Sequence, residues 1–539
     1  MTPLRGAQSA KAGAVPPVPA DRRRFARVID AFSVTLASAD GAFRGTLTAA
    51  TKDYDAAGAC LIAARPLPLG AAVRVKMALP RTMSEFFRGM RTEFPARVAA
   101  VRPPGHGSKS HELVLQWDRP LPKLVSGVVS SHQRKIGLLV GLVLFTAIVF
   151  RWNSLEYFWY SPAVFLYSVS LSTFLLSRFF ISWAHKPPKM TDYLPSVSVV
   201  ISVRNEEKAI AKTVETCYRA EYPDELREVI VIDDGSTDGT PRVLAELASR
   251  YPTLRVRTLP PQGKRHAMAA GIKEARGEII VFVDSDTFLL PDALRQIVCG
   301  FEDPTLGASA GYTGVENSMT NALTGMQEVR YYVSNRLLKS SESIFGCVTC
   351  CPGCLSAYRR SYLLEILDAW LNQKFLGRPA TFGDDRSLTN FILRKYRVIY
   401  NDRAVASTLV PETWGHYMRQ QLRWKKSWLR ETMIACGFMY RKHPVAVISF
   451  YASSVFSLLS PLMLLRVLML QGHGHESIIL FYLTGLVLIA LLQSLYFLYK
   501  RPSPNWALGM LWMASSLVIM GPQTYYALLT VRKNHWGTR

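Results

Sequence analysis

An α/β domain with a mostly parallel sheet, set between two groups of apolar segments and preceded by a small all-β unit, is the architecture this sequence predicts. Three observations carry the prediction. The β-branched runs SVSVVISV, EVIVID and EIIVFVD alternate with helical stretches, the strand–helix–strand spacing of a sheet covered by crossover helices. Long apolar runs flank them, at 136–150 and 162–183 on one side and at 445–470, 478–499 and 506–531 on the other. Ahead of both, short alternating runs such as FSVTLAS, AVRVKMAL and HELVLQW, separated by Gly- and Pro-containing turns, read as the strands of a small barrel over residues 21–122.

Composition narrows the functional classes. In 539 residues only 19% are charged and 49% are hydrophobic, which excludes extended disorder and makes lipid a solvent for part of the chain. A net charge of +24 would suit nucleic acid, anionic lipid or a phosphorylated substrate, so the placement of that charge has to decide. Eight cysteines are too few for a disulfide scaffold, and four of them crowd at Cys347, Cys350, Cys351 and Cys354, which points to a reducing compartment. Residues 1–20 lack an apolar run and are expected to be a flexible leader rather than a cleavable signal.

The runs within 136–183 form a candidate transmembrane hairpin flanked by Arg134, Lys135, Lys186 and Lys189, so the positive-inside bias places the chain on either side of it in the cytoplasm. Residues 445–531 supply C-terminal transmembrane helices, with a turn free of Lys and Arg at 471–477 and Lys500-Arg501 on the inner side. Three simple crossings would leave the basic tail, residues 532–539, outside. We therefore expect Gly521-Pro522 to break the last run and turn the chain back. Residues 413–443 interleave Trp, Met and Leu with Arg423, Lys425, Lys426, Arg430, Arg441 and Lys442, the mixture of amphipathic interface helices. Much of the positive charge thus lies beside membrane lipid, and a nucleic acid polymer is not an expected partner.

Chemistry concentrates between the membrane blocks, in residues 190–412. Asp233 and Asp234 end the second predicted strand, where open α/β sheets bind ligands. Asp284 and Asp286 end the third, and alternate residues of an extended strand share a face. Two such carboxylates suit Mg²⁺ or Mn²⁺, which completes its shell with substrate phosphates. Lys264 and Arg265 are available for those phosphates. Zinc is not expected at the cysteines, since the two C-x-x-C pairs abut without intervening chain.

Seven ordered motifs now matter together: VIDDGSTDGT, GKRHAM, VDSDT, YRR at 358–360, FGDDRSLTN, RQQLRW and the closing WGTR. Over residues 186–539 the chain resembles the membrane-bound processive β-glycosyltransferases of family 2, most of all hyaluronan synthases, with the chitin-oligosaccharide synthases close behind. The resemblance implies a GT-A catalytic domain that extends a growing polysaccharide from UDP-sugar donors. It implies that Asp233, Asp234, Lys264, Arg265 and Asp284 bind the nucleotide-sugar, that Asp286 with Asp284 holds the metal, and that Asp385, with Asp384, is the general base. Gln420, Arg423 and Trp424 fit the Q-x-x-R-W motif of diphosphate and acceptor binding. The segment CCPGCLSAYRR falls at the acceptor motif, where Cys351 and Gly353 match the hyaluronan type while Pro352 and Cys354 depart from it toward the chitin type. Hyaluronan, chitin-like and glucan products all remain open.

In the N-terminal unit, RRRFAR supplies Arg23-x-x-x-Arg27, and Asp53 to Gly58 follows. Both resemble the PilZ domain, which implies cyclic di-GMP as an allosteric activator bound through Arg23, Arg27, Asp53 and Gly58. Asp55 stands where that family has Ser, and a barrel with only a structural role, or a non-catalytic sensing scaffold, is the alternative. The whole reading is a multi-pass protein of the bacterial inner membrane.

Overall fold

The computed structural model describes residues 33–43, 45–54, 57–78, 91–103, 110–119, 121–153, 155, 157–470 and 476–532. The chain divides into two compact units, residues 1–134 and 135–539.

In the first unit six strands close into an antiparallel barrel. They are β1 (Ser33–Ser38), β2 (Thr46–Tyr54), β3 (Gly58–Ala63), β4 (Ala72–Ala78), β5 (Arg91–Arg102) and β6 (His111–Trp117), in the order β1-β2-β3-β6-β5-β4. Period-two alternation turns Val34, Leu36, Leu61, Val73, Val75, Leu113 and Leu115 inward. Phe94 and Trp117 meet edge to face with ring centroids 6.3 Å apart. Leu121 and Val125, from the start of the helix Leu121–Asn153, complete this core. Of the residues expected to bind cyclic di-GMP, Arg23 and Arg27 lie outside the described residues, as does Asp55. Asp53 sits on β2 opposite Cys60, next to a break in register after Thr51. Gly58 has a reason of its own: a Cβ there would lie 2.1 Å from the Leu115 carbonyl oxygen, so glycine lets β3 approach β6.

The second unit is built on an eight-stranded sheet. Its strands are β7 (Val197–Val203), β8 (Arg227–Asp233), β9 (Leu254–Thr258), β10 (Ile279–Asp284), β11 (Thr287–Leu289), β12 (Leu306–Val315), β13 (Ser356–Arg359) and β16 (Arg397–Thr408), in the order β11-β16-β12-β13-β10-β7-β8-β9. A separate two-stranded hairpin pairs β14 (Lys374–Phe375) with β15 (Arg378–Pro379). The sheet is mostly parallel, as expected, with six of its eight strands running one way and β13 and β11 reversed. Strands β9, β8, β7 and β10 are parallel, but β13 runs against both β10 and β12, and β11 runs against β16. Geometry explains the reversal, because β13 enters opposite Phe282 at the carboxyl end of β10 and must run back to Arg359 opposite Ile279. Every residue of β7 except the half-buried Ser202 is buried, as strands covered on both faces require. Chain order reverses at β7, so the carboxyl ends of β7, β8 and β10 open onto one crevice.

Among the described residues four helices are long and apolar enough to cross a membrane: Lys123–Asn153, Pro162–Trp183, Pro444–Met469 and Ile479–Lys500. The first is longer than the run 136–150 because its polar amino-terminal turns stay helical. Arg178 is buried in the second, where its guanidinium donates to the Ser449 hydroxyl at 2.6 Å. The segment 413–443 is mostly one helix, Trp414–Met439. The last apolar run does not double back at Gly521-Pro522. It stays helical through Leu508–Ser515, a π turn at Ser516–Met520 and Gly521–Leu529, with the π turn directly ahead of Pro522, where the ladder of backbone bonds must give up the proline's missing N–H. The WGTR tail lies outside the described residues.

Gly58→Ala is expected to strain the barrel by roughly 1–3 kcal/mol. Its thermal transition, followed by scanning calorimetry of the full chain, should fall by at least about 4 °C.

Candidate active site

The crevice gathers most of the acidic motifs. Asp233 ends β8 fully buried, and its Oδ1 accepts from the Ser236 backbone N–H at 3.0 Å and the Ser236 hydroxyl at 2.6 Å. Its Oδ2 is buried without a hydrogen-bond partner. Asp234 accepts the backbone N–H groups of Gln262, at 2.8 Å, and Gly263, at 3.0 Å, and faces Arg204 at 3.8 Å. These bonds fasten the loop before the helix Lys264–Glu274, whose entry uses Gly263 at φ +99°.

Asp284 ends β10, and Asp286 follows in the turn before β11, close enough for the two carboxylates to interact. Lys264 forms an ion pair with Asp284, and the Cys354 thiol donates to the other Asp284 oxygen at 3.4 Å. Burial alone would raise the Asp284 carboxyl, but Lys264, the Cys354 thiol and Arg423 hold it below the usual range. Asp286 has the opposite fate. Burial, and next the Asp284 carboxylate, push it up to about 7, and the Thr408 hydroxyl reaches its Oδ1 at 3.3 Å. Gly353 is pressed onto this pair: a Cβ there would lie 2.8 Å from Asp284 Oδ1.

The donor set fits a hard divalent cation bound jointly with substrate. Among the described residues no three His, Cys, Asp or Glu side chains form a complete protein cage, and Mg²⁺ typically takes one or two carboxylates and draws the rest of its shell from phosphates and water. Burial first, and then Asp284, raise the Asp286 carboxyl, and a cation beside it would favour its charged form.

Asp384 and Asp385 open the helix Asp384–Leu393, after Gly383 at φ +75°. They point to different partners. Asp385 is half-buried, its Oδ1 taking the Arg386 N–H at 2.8 Å and its Oδ2 the Cys350 thiol at 3.7 Å. Burial, and then Asp385, push the Cys350 thiol up to about 11, which keeps it a donor. Asp384 is buried and bonded to the Arg265 Nε at 2.7 Å. Arg265 further donates to the Trp370 carbonyl at 3.1 Å and lies over the Trp370 ring at 5.0 Å. The expectation that Arg265 serves phosphates beside Lys264 is therefore not what its geometry offers. Consecutive helix residues face different directions, and Lys264 takes the crevice while Arg265 takes the core.

A similar inversion affects the cysteines. Cys351, expected at the acceptor, is fully buried, its backbone N–H bonded to the Thr389 hydroxyl at 2.9 Å. Its neighbours Cys350 and Cys354 touch the two carboxylates, and sequence reasoning passed over both because an irregular segment has no periodicity to say which side chain turns in.

The helix Trp414–Met439 brings in Q-x-x-R-W. Gly383 is its seat, since a Cβ there would come within 1.8 Å of Ser427 Oγ. Arg430 bonds the Phe382 carbonyl and pairs with Glu431 at 2.8 Å, and Glu431 accepts from Asn390 at 3.0 Å and Gln373 at 3.2 Å. On this helix Gln420 is half-buried, its carbonyl oxygen accepting from Gln421 at 3.4 Å. Arg423 lies within electrostatic reach of Asp284. Trp424 remains 36% exposed, with Arg330 stacked over it at 5.4 Å and Tyr331 at 6.4 Å.

Comparison with known proteins agrees with this geometry. Residues 198–367 match the model of glycosyl transferase family 2. The hyaluronan synthase of Streptococcus pyogenes is 30% identical over 394 residues, 71% of this chain and 92% of that protein. An N-acetylglucosaminyltransferase of Sinorhizobium fredii is 36% identical over 247 residues, 45% of this chain and 59% of its own. A solved mannosyltransferase from Pyrobaculum calidifontis, in complex with GDP-Man and Mn²⁺, covers 68% of this chain and 97% of its own at 22% identity and a TM-score of 0.49. The chain belongs to glycosyltransferase family 2, a hexosyltransferase with a GT-A catalytic domain. More narrowly, it is a membrane polysaccharide synthase homologous to the hyaluronan synthases.

Gly353→Ala must displace the Asp284 carboxylate. With misplacements of about 1 Å able to cost about 10²-fold in rate, release of nucleotide from a nucleotide-sugar donor is expected to fall at least about tenfold while the protein remains folded by gel filtration.

Proposed function

We propose that this protein is a processive, inverting synthase that joins UDP-sugars into a β-linked polysaccharide, hyaluronan or a related N-acetylglucosamine-containing polymer, at the cytoplasmic face of a bacterial inner membrane. One observation supports it above the rest. Asp284, Asp286 and Lys264 share a crevice with Arg423, while Asp385 stands at the head of the helix onto which Gly383 and Glu431 clamp the Q-x-x-R-W segment.

In this reading the donor diphosphate lies between Lys264 and Arg423, two cations suited to phosphate oxygens. Asp233 offers a buried, unused carboxylate oxygen to an N–H or O–H of the nucleotide. Asp284 and Asp286 would hold Mg²⁺ or Mn²⁺, which when bound neutralises negative charge on the departing UDP. Asp385 accepts the proton of the acceptor hydroxyl as that oxygen attacks the anomeric carbon opposite UDP. One bond to carbon forms and one breaks, so a single displacement inverts the configuration and needs no sugar–enzyme intermediate. Trp424 gives the acceptor pyranose an apolar face to rest on. Buried Asp384 fixes the start of the helix through Arg265.

Secretion of the product through the apolar helices, and activation of the barrel by cyclic di-GMP through Arg23 and Arg27, complete the proposal. A second reading, a chitin-like polymer from one donor, is favoured by the cysteine-rich acceptor segment and by the N-acetylglucosaminyltransferase relatives.

UDP release by the purified protein with Mg²⁺ or Mn²⁺ separates these readings. Sustained release only with UDP-GlcNAc and UDP-GlcA together is the expected result, and release from UDP-GlcNAc alone would move the product to the chitin type. Cyclic di-GMP is expected to raise the rate, and an unchanged rate would leave the barrel a structural role. Asp385→Asn should lower transfer by about 10²–10⁴-fold with UDP binding retained, and transfer at the wild-type rate would remove Asp385 as the base.

A further inference from the structure

The helix Trp414–Met439 also meets the last apolar helix, Gly521–Leu529, and the contact is polar. The Lys425 ammonium donates to the Met520 carbonyl and, at 2.7 Å, to the Thr524 hydroxyl. The Thr524 hydroxyl donates to the same carbonyl at 3.2 Å. Met520 closes the π turn Ser516–Met520, so the ammonium is fastened to the one irregular stretch of this helical run. From the other direction, the Gln523 side-chain amide donates to the Met418 carbonyl at 3.1 Å. Three bonds, two donated by Lys425 and one of opposite sense donated by Gln523, therefore stitch the helices together at points about two turns apart along the first.

This is a costly way to join helices. Burial, and next Arg330 of the helix Ala322–Val333, push the Lys425 ammonium down to about 8. Gly521–Leu529 carries no charged residue, and its titratable groups are Tyr525 and Tyr526. Neutral acceptors alone compensate the buried charge, where a methionine would fill similar space without desolvation. Such an arrangement fixes direction, because hydrogen bonds set the rotation and height of one helix on another while apolar packing tolerates sliding. What it fixes is the turn bearing Arg423 and Trp424, since Trp424 directly precedes Lys425.

We propose that Lys425 is a positioning residue that ties the Trp424 turn to the last apolar helix and so keeps the acceptor chain engaged between successive transfers. The proposal rests on Trp424 as the acceptor platform. A loosened turn weakens retention of the polymer and, through Arg423, raises the donor concentration needed for saturation, while Asp284, Asp286, Lys264 and Asp385, held by other elements, still turn over donor once it saturates. Product length should therefore fall without an equal fall in rate.

The experiment compares full-length wild type with Lys425→Met, Thr524→Val and Trp424→Ala in lipid nanodiscs, reading initial UDP release at saturating donors and polymer length by gel electrophoresis. Polymers severalfold shorter from Lys425→Met and moderately shorter from Thr524→Val, with UDP release close to wild type, are the expected result. Wild-type length from both variants, or rate and length falling in equal proportion, would overturn the proposal. Should Lys425→Met fail to fold by gel filtration, Thr524→Val, which removes one hydroxyl, decides alone. Normal transfer and length from Trp424→Ala would remove the acceptor reading, while short products from Lys425→Met beside it would leave the helix coupling standing.

Discussion

The catalytic half of the protein depends on the seating of Ser427 against the bare Cα of Gly383. Only a residue without a Cβ accepts both that approach and a φ of +75°. The contact fixes the distance between the helix that begins with Asp384 and Asp385 and the helix that carries Arg423 and Trp424. Arg430, Glu431, Asn390 and Gln373 then lock the two by buried hydrogen bonds. Removing one member of such a buried charged network costs about 3–5 kcal/mol, so the arrangement behaves as one piece. Asp385 on one helix and Arg423 and Trp424 on the other thereby keep a fixed spacing.

Neighbouring residues in this site are repeatedly divided between chemistry and support. Lys264 meets Asp284 in the crevice, and Arg265 beside it meets Asp384 in the core. Asp385 is half-buried while Asp384 is sequestered, and Cys350 touches Asp385 while Cys351 packs inside. The supporting member holds the backbone from behind as its neighbour faces the ligand space. Doublets such as Asp384-Asp385 and Lys264-Arg265 are thus not duplicated function.

How much of this was legible beforehand follows from periodicity. Strands β7, β8 and β10 could be read because buried parallel strands are continuous β-branched runs, and the carboxylates at their ends followed from strand geometry. Barrel strands β1, β4 and β6 were legible from alternation. The antiparallel entry of β13 was not, since a four-residue strand carries no directional signal. Nor was the Arg265–Asp384 pair, whose members are 119 residues apart, or the choice between Cys350 and Cys351 in a segment without regular structure. The unbroken helicity past Gly521-Pro522 was missed because a glycine-proline step reads as a turn unless a helix is already propagating through it.

The bond between Arg178 and Ser449 spans 271 residues of chain, with the whole catalytic domain between the partners. At roughly 5–20 residues per second of synthesis, the hydroxyl emerges tens of seconds after the guanidinium. During that interval the helix Pro162–Trp183 holds a cation in an apolar segment, near an end from which its long side chain can reach the lipid headgroups. Final burial of Arg178 must wait for the helix Pro444–Leu470. The helix Pro162–Trp183 can thus form early but attains its mature packing only after the α/β domain has been made, which ties the order in which the apolar helices pack to the order of translation.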